Sequence, residues 1–218
     1  MIVARIFVAL SVIAICLMLT NLGLGYMSGD FNGIAQRHRQ AYQTLDQARK
    51  SGDEARRAAA EKEFDEVSAE YRPLSNYKVA HFMLGVLAAL VVVLVNSITV
   101  TYFIGTTRWV REVCDAYLLS DEYPQRSDRL KRKAFPWAVI GIVTMMAIVM
   151  LGAAADPSAD IDSSADWVLP HHLAAILGTC VIAFAFFMQI SSIAANYEVI
   201  QEIVAEVRRI RAEKGLDT

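Results

Sequence analysis

Charge is missing from nearly half of this chain. Residues 6–29, 79–107, 134–155 and 167–197 contain no Asp, Glu, Lys or Arg, and together they make 106 of the 218 positions. All 44 charged side chains, 21 basic and 23 acidic, fall in the remaining 112 residues. Each charge-free run is mostly apolar and reaches or exceeds the roughly 20 residues needed to cross a bilayer's hydrocarbon core. A water-soluble globular enzyme and an intrinsically disordered chain are thereby excluded. Cysteine is also scarce. Cys16, Cys114 and Cys180 form neither a CxxC pair nor a disulfide framework, and the absence of CxxCH excludes covalent haem attachment. Neither a Walker-type phosphate loop nor an HExxH zinc motif occurs. No Ser/His/Asp set or metal-ligand spacing supports a hydrolytic enzyme, and no nucleic-acid partner is expected.

What is there reads as an all-α integral membrane protein. The expected fold is a four-transmembrane-helix bundle with an external helical hairpin and a cytoplasmic helical extension of the last helix. Arg5 and the apolar run after it resemble a secretory signal, but Asn21-Leu-Gly-Leu-Gly-Tyr26 keeps the segment apolar to membrane length and has no Ala-x-Ala site. The first helix, 1–29, is therefore expected to be an uncleaved anchor. An external hairpin follows at 30–76, the second membrane helix at 77–107, and a basic, partly helical cytoplasmic connection at 108–133. The third membrane helix at 134–155, an acidic external loop at 156–166, the fourth membrane helix at 167–192 and a cytoplasmic amphipathic helix at 193–218 complete the chain.

Lys and Arg are retained on the cytoplasmic side of a membrane, which sets the orientation. Residues 108–133 carry seven, the tail four and the start one, against nine in the 30–78 segment, where nine acids offset them. Residues 156–166 hold four Asp and no Lys or Arg, whereas Lys131-Arg132-Lys133 abuts the third helix. Both termini are expected in the cytoplasm, with a bacterial-type inner membrane as the location. Trp109, Trp137 and Trp167 flank membrane runs, as interfacial anchors do.

Within the hairpin, Ile34, Ala41, Leu45 and Ala48 share one helical face, and Ala60, Phe64, Val67 and Tyr71 share another, with Ser51-Gly52-Asp53 breaking the chain between them. Pro73 is expected to close the second of these helices and Ser75 to cap the next. Ile193, Asn196, Ile200, Ile203, Val207 and Ile210 form a short heptad-like seam on the tail. It can pair with Trp109, Val113 and Tyr117 in the same chain or with a second copy. Gly215 is a natural stop for this helix, and Pro136 is expected at the start of the third membrane helix.

Membrane helices pack through small and polar side chains. That criterion selects His81, Gly85, Ala88, Val92, Asn96 and Thr99 on the second helix, all within about 60° at 100° per residue. It selects His171, Ala175, Gly178, Ile182, Ala185 and Gln189 on the fourth, Gly141, Thr144, Met145 and Gly152 on the third, and Ser11, Ala14, Met18 and Gly25 on the first. Asn96, Thr99 and Gln189 are expected to form an interhelical polar cluster that fixes helix register; a quinone or proton route is its functional alternative.

All four histidines fall on the external side of this topology. His81 and His171 lie about a turn inside the membrane on inward faces of parallel helices, an arrangement suited to axial ligation of a haem b. Ordinary packing histidines would look the same from sequence. A copper or other soft-metal site is the rival, drawing on His81, His171, His172, Met27 and Met150. The pair Asp160 and Asp162 lacks the glycine and Glu of a calcium loop and reads as an acidic turn.

The expected function is association: a multi-pass scaffold or accessory subunit of a membrane complex, with the lipid bilayer as environment and a protein partner or second copy engaged through 193–218 or 30–76. No cofactor is assured. A redox-type subunit holding one haem b between His81 and His171 is the alternative, and metal handling or a small transporter subunit stands behind it, because no membrane run carries the charged residues that ion coupling generally uses.

Overall fold

The structure is a computed structural model that describes residues 2–159 and 163–216. Asp160 and Asp162 lie outside the described residues. Among the described residues every regular element is helical: α1 (Ile2–Met27), α2 (Phe31–Ser51), α3 (Glu54–Tyr117), α4 (Glu122–Ala154) and α5 (Val168–Glu213), with two short 3-10 turns at Pro157–Ala159 and Ser164–Trp167. Helices α1, α3, α4 and α5 each contain a stretch long and apolar enough to cross a membrane. Leu90, Met150, Leu177 and Phe187 on these stretches are all more than 60% exposed, a surface suited to lipid.

The chain ends are shaped by local chemistry. Asp30 accepts a hydrogen bond from the Gly33 N–H and so caps α2, and Asp53 accepts one from the Arg56 N–H at the start of α3. Between them Gly52 adopts φ +72°, the left-handed turn that ends α2 without a Cβ penalty. Leu118 does the same at φ +53° after α3, and the Leu119 N–H closes back on the Cys114 carbonyl. Gly215 ends α5 in the same conformation, φ +64°.

Two prolines depart from expectation. Pro73 does not close a helix, and Ser75 does not cap one: α3 runs without interruption through both. Pro136 lies 14 residues inside α4, not at its start. Each proline leaves one carbonyl, Ala69 or Arg132, without its i+4 donor, a cost of about 3 kcal/mol that helix packing on either side must offset. Sequence punctuation at a proline is overridden when both flanking segments are held by tertiary contacts.

The chain divides into two compact units, each described by itself. One comprises Met1–Ile15, Leu90–Met146 and Thr179–Thr218. Its core includes Phe7, Val92, Val95, Phe103, Ile182 and Phe186, with Phe7 set edge-on to Phe186. Of the expected seam on α5, Ile193, Asn196 and Ile203 are buried here and Ile200 and Val207 partly so, with Val113 among their neighbours but not Trp109 or Tyr117. Val110, Cys114, Val199 and Ile203 form the cluster, flanked by Val113, Tyr123 and Leu130, so α4 covers it as well as α3. Trp109 is 36% exposed. Arg126 of α4 holds Glu202 of α5 through two hydrogen bonds. The apolar face of the tail is thus used within the chain.

The other unit comprises Cys16–Ala89 and Ala147–Gly178. Here α2 folds back along the first part of α3, burying Leu45, Ala48 and Ala60 against Phe64. His38 stacks on Tyr71 at 4.4 Å, and the ion pair Arg37–Glu70 links the two helices farther along. Lys78 of α3 donates to Asp156 at 2.6 Å and to Ser158 at 3.0 Å, tying the turn after α4 to α3.

Candidate functional site

Histidines 81 and 171 come together in the second of these units. Their ring centroids lie 6.1 Å apart with the planes at 78°. α3 places His81 and α5 places His171, and the helices on either side approach as glycine. A Cβ on Gly25 of α1 would lie 3.2 Å from His81 Cε1, and one on Gly152 of α4 would lie 2.9 Å from His171 Cε1. Each imidazole therefore rests on bare backbone of a neighbouring helix. Gly85, one turn after His81, faces the Asn21 amide in the same manner, 3.1 Å from a built Cβ.

The His81 tautomer follows from its partner. Its Nδ1 lies 2.9 Å from the Asn21 carbonyl oxygen, which can only accept, so Nδ1 donates and in the neutral ring Nε2 carries the lone pair. His171 Nδ1 is buried and completes no well-aligned hydrogen bond, although the Ile148 carbonyl lies within reach of the ring. Asn21 Oδ1 is a second buried polar atom there without a partner. Buried polar atoms are nearly always satisfied, and these two atoms depart from that pattern.

The other proposed ligands do not converge in this way. His172 stacks face to face on Tyr26 at 5.5 Å and 9°, and its centroid is 6.2 Å from that of His171. Met27 is 54% and Met150 68% exposed. Among the described residues no group of three or more His, Cys, Asp or Glu is placed to hold a metal ion.

Asn96, Thr99 and Gln189 do meet, in the first unit, where all three are fully buried. Gln189 donates to Asn96 Oδ1 at 3.0 Å, and Thr99 donates to Gln189 Oε1 at 2.5 Å. Gly141 of α4 closes over them: a Cβ there would lie 2.8 Å from Asn96 Oδ1. The two amides also donate to the Val92 and Ala185 carbonyls, so the cluster links α3 to α5 with Gly141 of α4 packed against it.

A second polar cluster lay outside the sequence reading. Asn196 donates to Tyr102 at 3.2 Å and Thr106 at 3.1 Å and accepts from Ser127 at 2.8 Å. Asn196 was visible as the polar member of an apolar seam; nothing in the spacing pointed to Ser127, which belongs to a connection rich in charge.

Compared with known proteins, the chain matches no family model, no curated protein and no solved structure.

Proposed function

We propose that this chain is a membrane-integrated redox subunit that holds one haem b between His81 and His171. The observation that carries the reading is the 6.1 Å separation of the two ring centroids. Two imidazole nitrogens, each about 2 Å from one iron, place their ring centroids about 6 Å apart. The His81 Nδ1–H bond to a backbone carbonyl supports it further, because it leaves Nε2 free and fixes the ring, as an orienting partner does for a ligating histidine. The His172 ring also lies 6.2 Å from that of His171 but is stacked on Tyr26, and the two imidazoles that remain suit a macrocycle that supplies four nitrogens of its own. A free zinc or copper ion would need more protein ligands.

The surroundings are read as a bilayer. Four helices of sufficient length and apolarity support four crossings, and the twelve Lys and Arg of the start, the 108–133 connection and the tail support cytoplasmic termini in a bacterial-type inner membrane. The histidine pair then lies near the external face. The association reading is weaker, because both amphipathic faces available for it, around Leu45 and around Ile203, are packed within the chain.

The test is the absorption spectrum of the detergent-purified full chain after haem-replete expression. A Soret band with sharp α and β bands on reduction is expected, lost in His81→Ala and in His171→Ala and kept in His172→Ala. No Soret band in the unaltered protein, or its survival in both single variants, sinks the assignment.

A further inference from the structure

A pocket of about 240 Å³ opens beside α2, between that helix, α3 and the turn after α4. Phe31, Tyr42 and Tyr71 give it aromatic walls, and His38, Arg39 and Ser158 add polar groups. Phe31 is buried and packed on Tyr71 at 5.6 Å, so the floor is a fixed ring surface. Lys78 braces it from behind, with Nζ 4.8 Å from the Phe31 ring centroid.

The polar lining is one-sided in chemistry. The Arg39 guanidinium spends one N–H on the Pro157 carbonyl at 3.0 Å and has further N–H donors available. The Ser158 hydroxyl accepts from Lys78 and its own proton is engaged by the Asp156 carboxylate, which leaves Arg39 as the donor with capacity to spare. The lining contains no carboxylate, and Asp156, two residues before Ser158, is paired with Lys78. Arg39 beside these aromatic walls favours a flat, uncharged or anionic ring that accepts hydrogen bonds. Its volume is below the ~300–1,000 Å³ of sites for drug-sized ligands, which limits the bound part to a single small ring system.

Position narrows the class. The pocket is built from the segments that directly follow α1 and α4, both of which end their apolar runs there. Tyr71 precedes His81 on the same helix by ten residues, about 15 Å of rise. We propose that the pocket binds the ring of a quinone-type ligand, with a carbonyl oxygen accepting from Arg39. The choice of a quinone rests on the haem reading, since a lipid-soluble redox carrier is what a haem near this membrane face would meet; the ring-binding chemistry of the pocket does not.

The experiment titrates 2-methyl-1,4-naphthoquinone, a probe without a lipid tail, into the detergent-purified full chain and measures bound probe by ultrafiltration. Ala35 of α2 also lines the pocket, and Ala35→Phe, which fills it, is the first variant. Arg39→Gln, an exposed change that leaves the walls intact, is the second, and His81→Ala serves as the haem-free control. Saturable binding is expected, weakened at least tenfold by Ala35→Phe and about fivefold by Arg39→Gln and unchanged by His81→Ala. Equal binding by the unaltered chain and both pocket variants, or none by the unaltered chain, overturns the site. Binding that depends on Ala35 and Arg39 in a chain without a Soret band upholds the ring site and removes the haem.

Discussion

Gly141 and Asn96 stand in a relationship that leaves no room for a methyl group: a Cβ on Gly141 would lie 2.8 Å from Asn96 Oδ1 and 2.9 Å from its Nδ2. The amide is held from its other side by Gln189, so it cannot turn away without breaking that bond. Gly141→Ala should therefore destabilise the fold by about 1–3 kcal/mol, the usual range for overpacking a filled interior. Unfolding in mixed micelles with increasing sodium dodecyl sulfate measures it. A neutral result would mean that α4 does not close on the cluster.

The bonds inside that cluster are expected to contribute less than their burial suggests. Interhelical hydrogen bonds in membranes average about 0.6 kcal/mol and reach about 1.7. A double-mutant cycle with Gln189→Leu and Asn96→Leu should give a coupling in that range, while each single variant costs more because it strands its partner's polar atoms. Zero coupling would separate the two amides.

Gly152 is the corresponding test at the histidine pair. Its Cβ would meet His171 Cε1 at 2.9 Å, so Gly152→Ala must displace the imidazole. Haem retained on purification is expected to fall several-fold, with a smaller loss for Gly25→Ala, where the contact is 3.2 Å. The pyridine haemochrome assay on matched samples reads the difference, and equal retention in both variants and the unaltered chain counts against ligation by these rings.

Lys78 and Asp156 make a partly buried ion pair, with side-chain exposures of 22% and 26%. Burial pushes the Asp156 carboxyl up, but hydrogen bonds from Lys78 and Ser158 and the Lys78 charge outweigh it and hold the group below the usual carboxylate range. A carboxyl lowered in the fold adds stability that is present above its unfolded value, near about 3.9, and is lost as pH falls through the folded value. Asp156→Asn should cost about 1–2 kcal/mol at pH 7, and the gap to the unaltered chain should close as pH falls through the folded value. Thermal unfolding of both proteins across that range decides it.

Ile203 is fully buried with Val110, Cys114 and Val199 of the same chain. Ile203→Ala should loosen the end of α5, at a cost of about 2–4 kcal/mol locally. Trypsin should then cut faster at Arg208 and Arg209, while the mass of the detergent-solubilised particle stays the same. A change of oligomeric state instead would move the seam from an internal to an intermolecular role.

Much of this was legible because small and polar residues are rare in the apolar runs. With few candidates on each helix, a period of 3.6 residues leaves one plausible inner stripe, and Ala88, Val92, Asn96 and Thr99 on α3 and Ile182, Ala185 and Gln189 on α5 are all buried. Gly52 likewise announced the turn after α2, since a left-handed residue there has to be nearly free of steric cost. The prolines misled, because a local rule about a missing N–H says nothing about how firmly the flanking helix is held.

The sequence by itself determined where the chain can be uncharged for the length of a membrane, where it turns, and which face of each helix is fit to meet another, because those depend on composition and on the period of one helix. Tertiary structure alone decided which faces meet. It set Val110 and Cys114, in place of Trp109 and Tyr117, against Ile203, paired Asn196 with Ser127, and laid the His81 and His171 imidazoles on glycine backbone from α1 and α4. Those pairings depend on helix offsets and rotations across long sequence separations, which the pattern along any one helix does not encode.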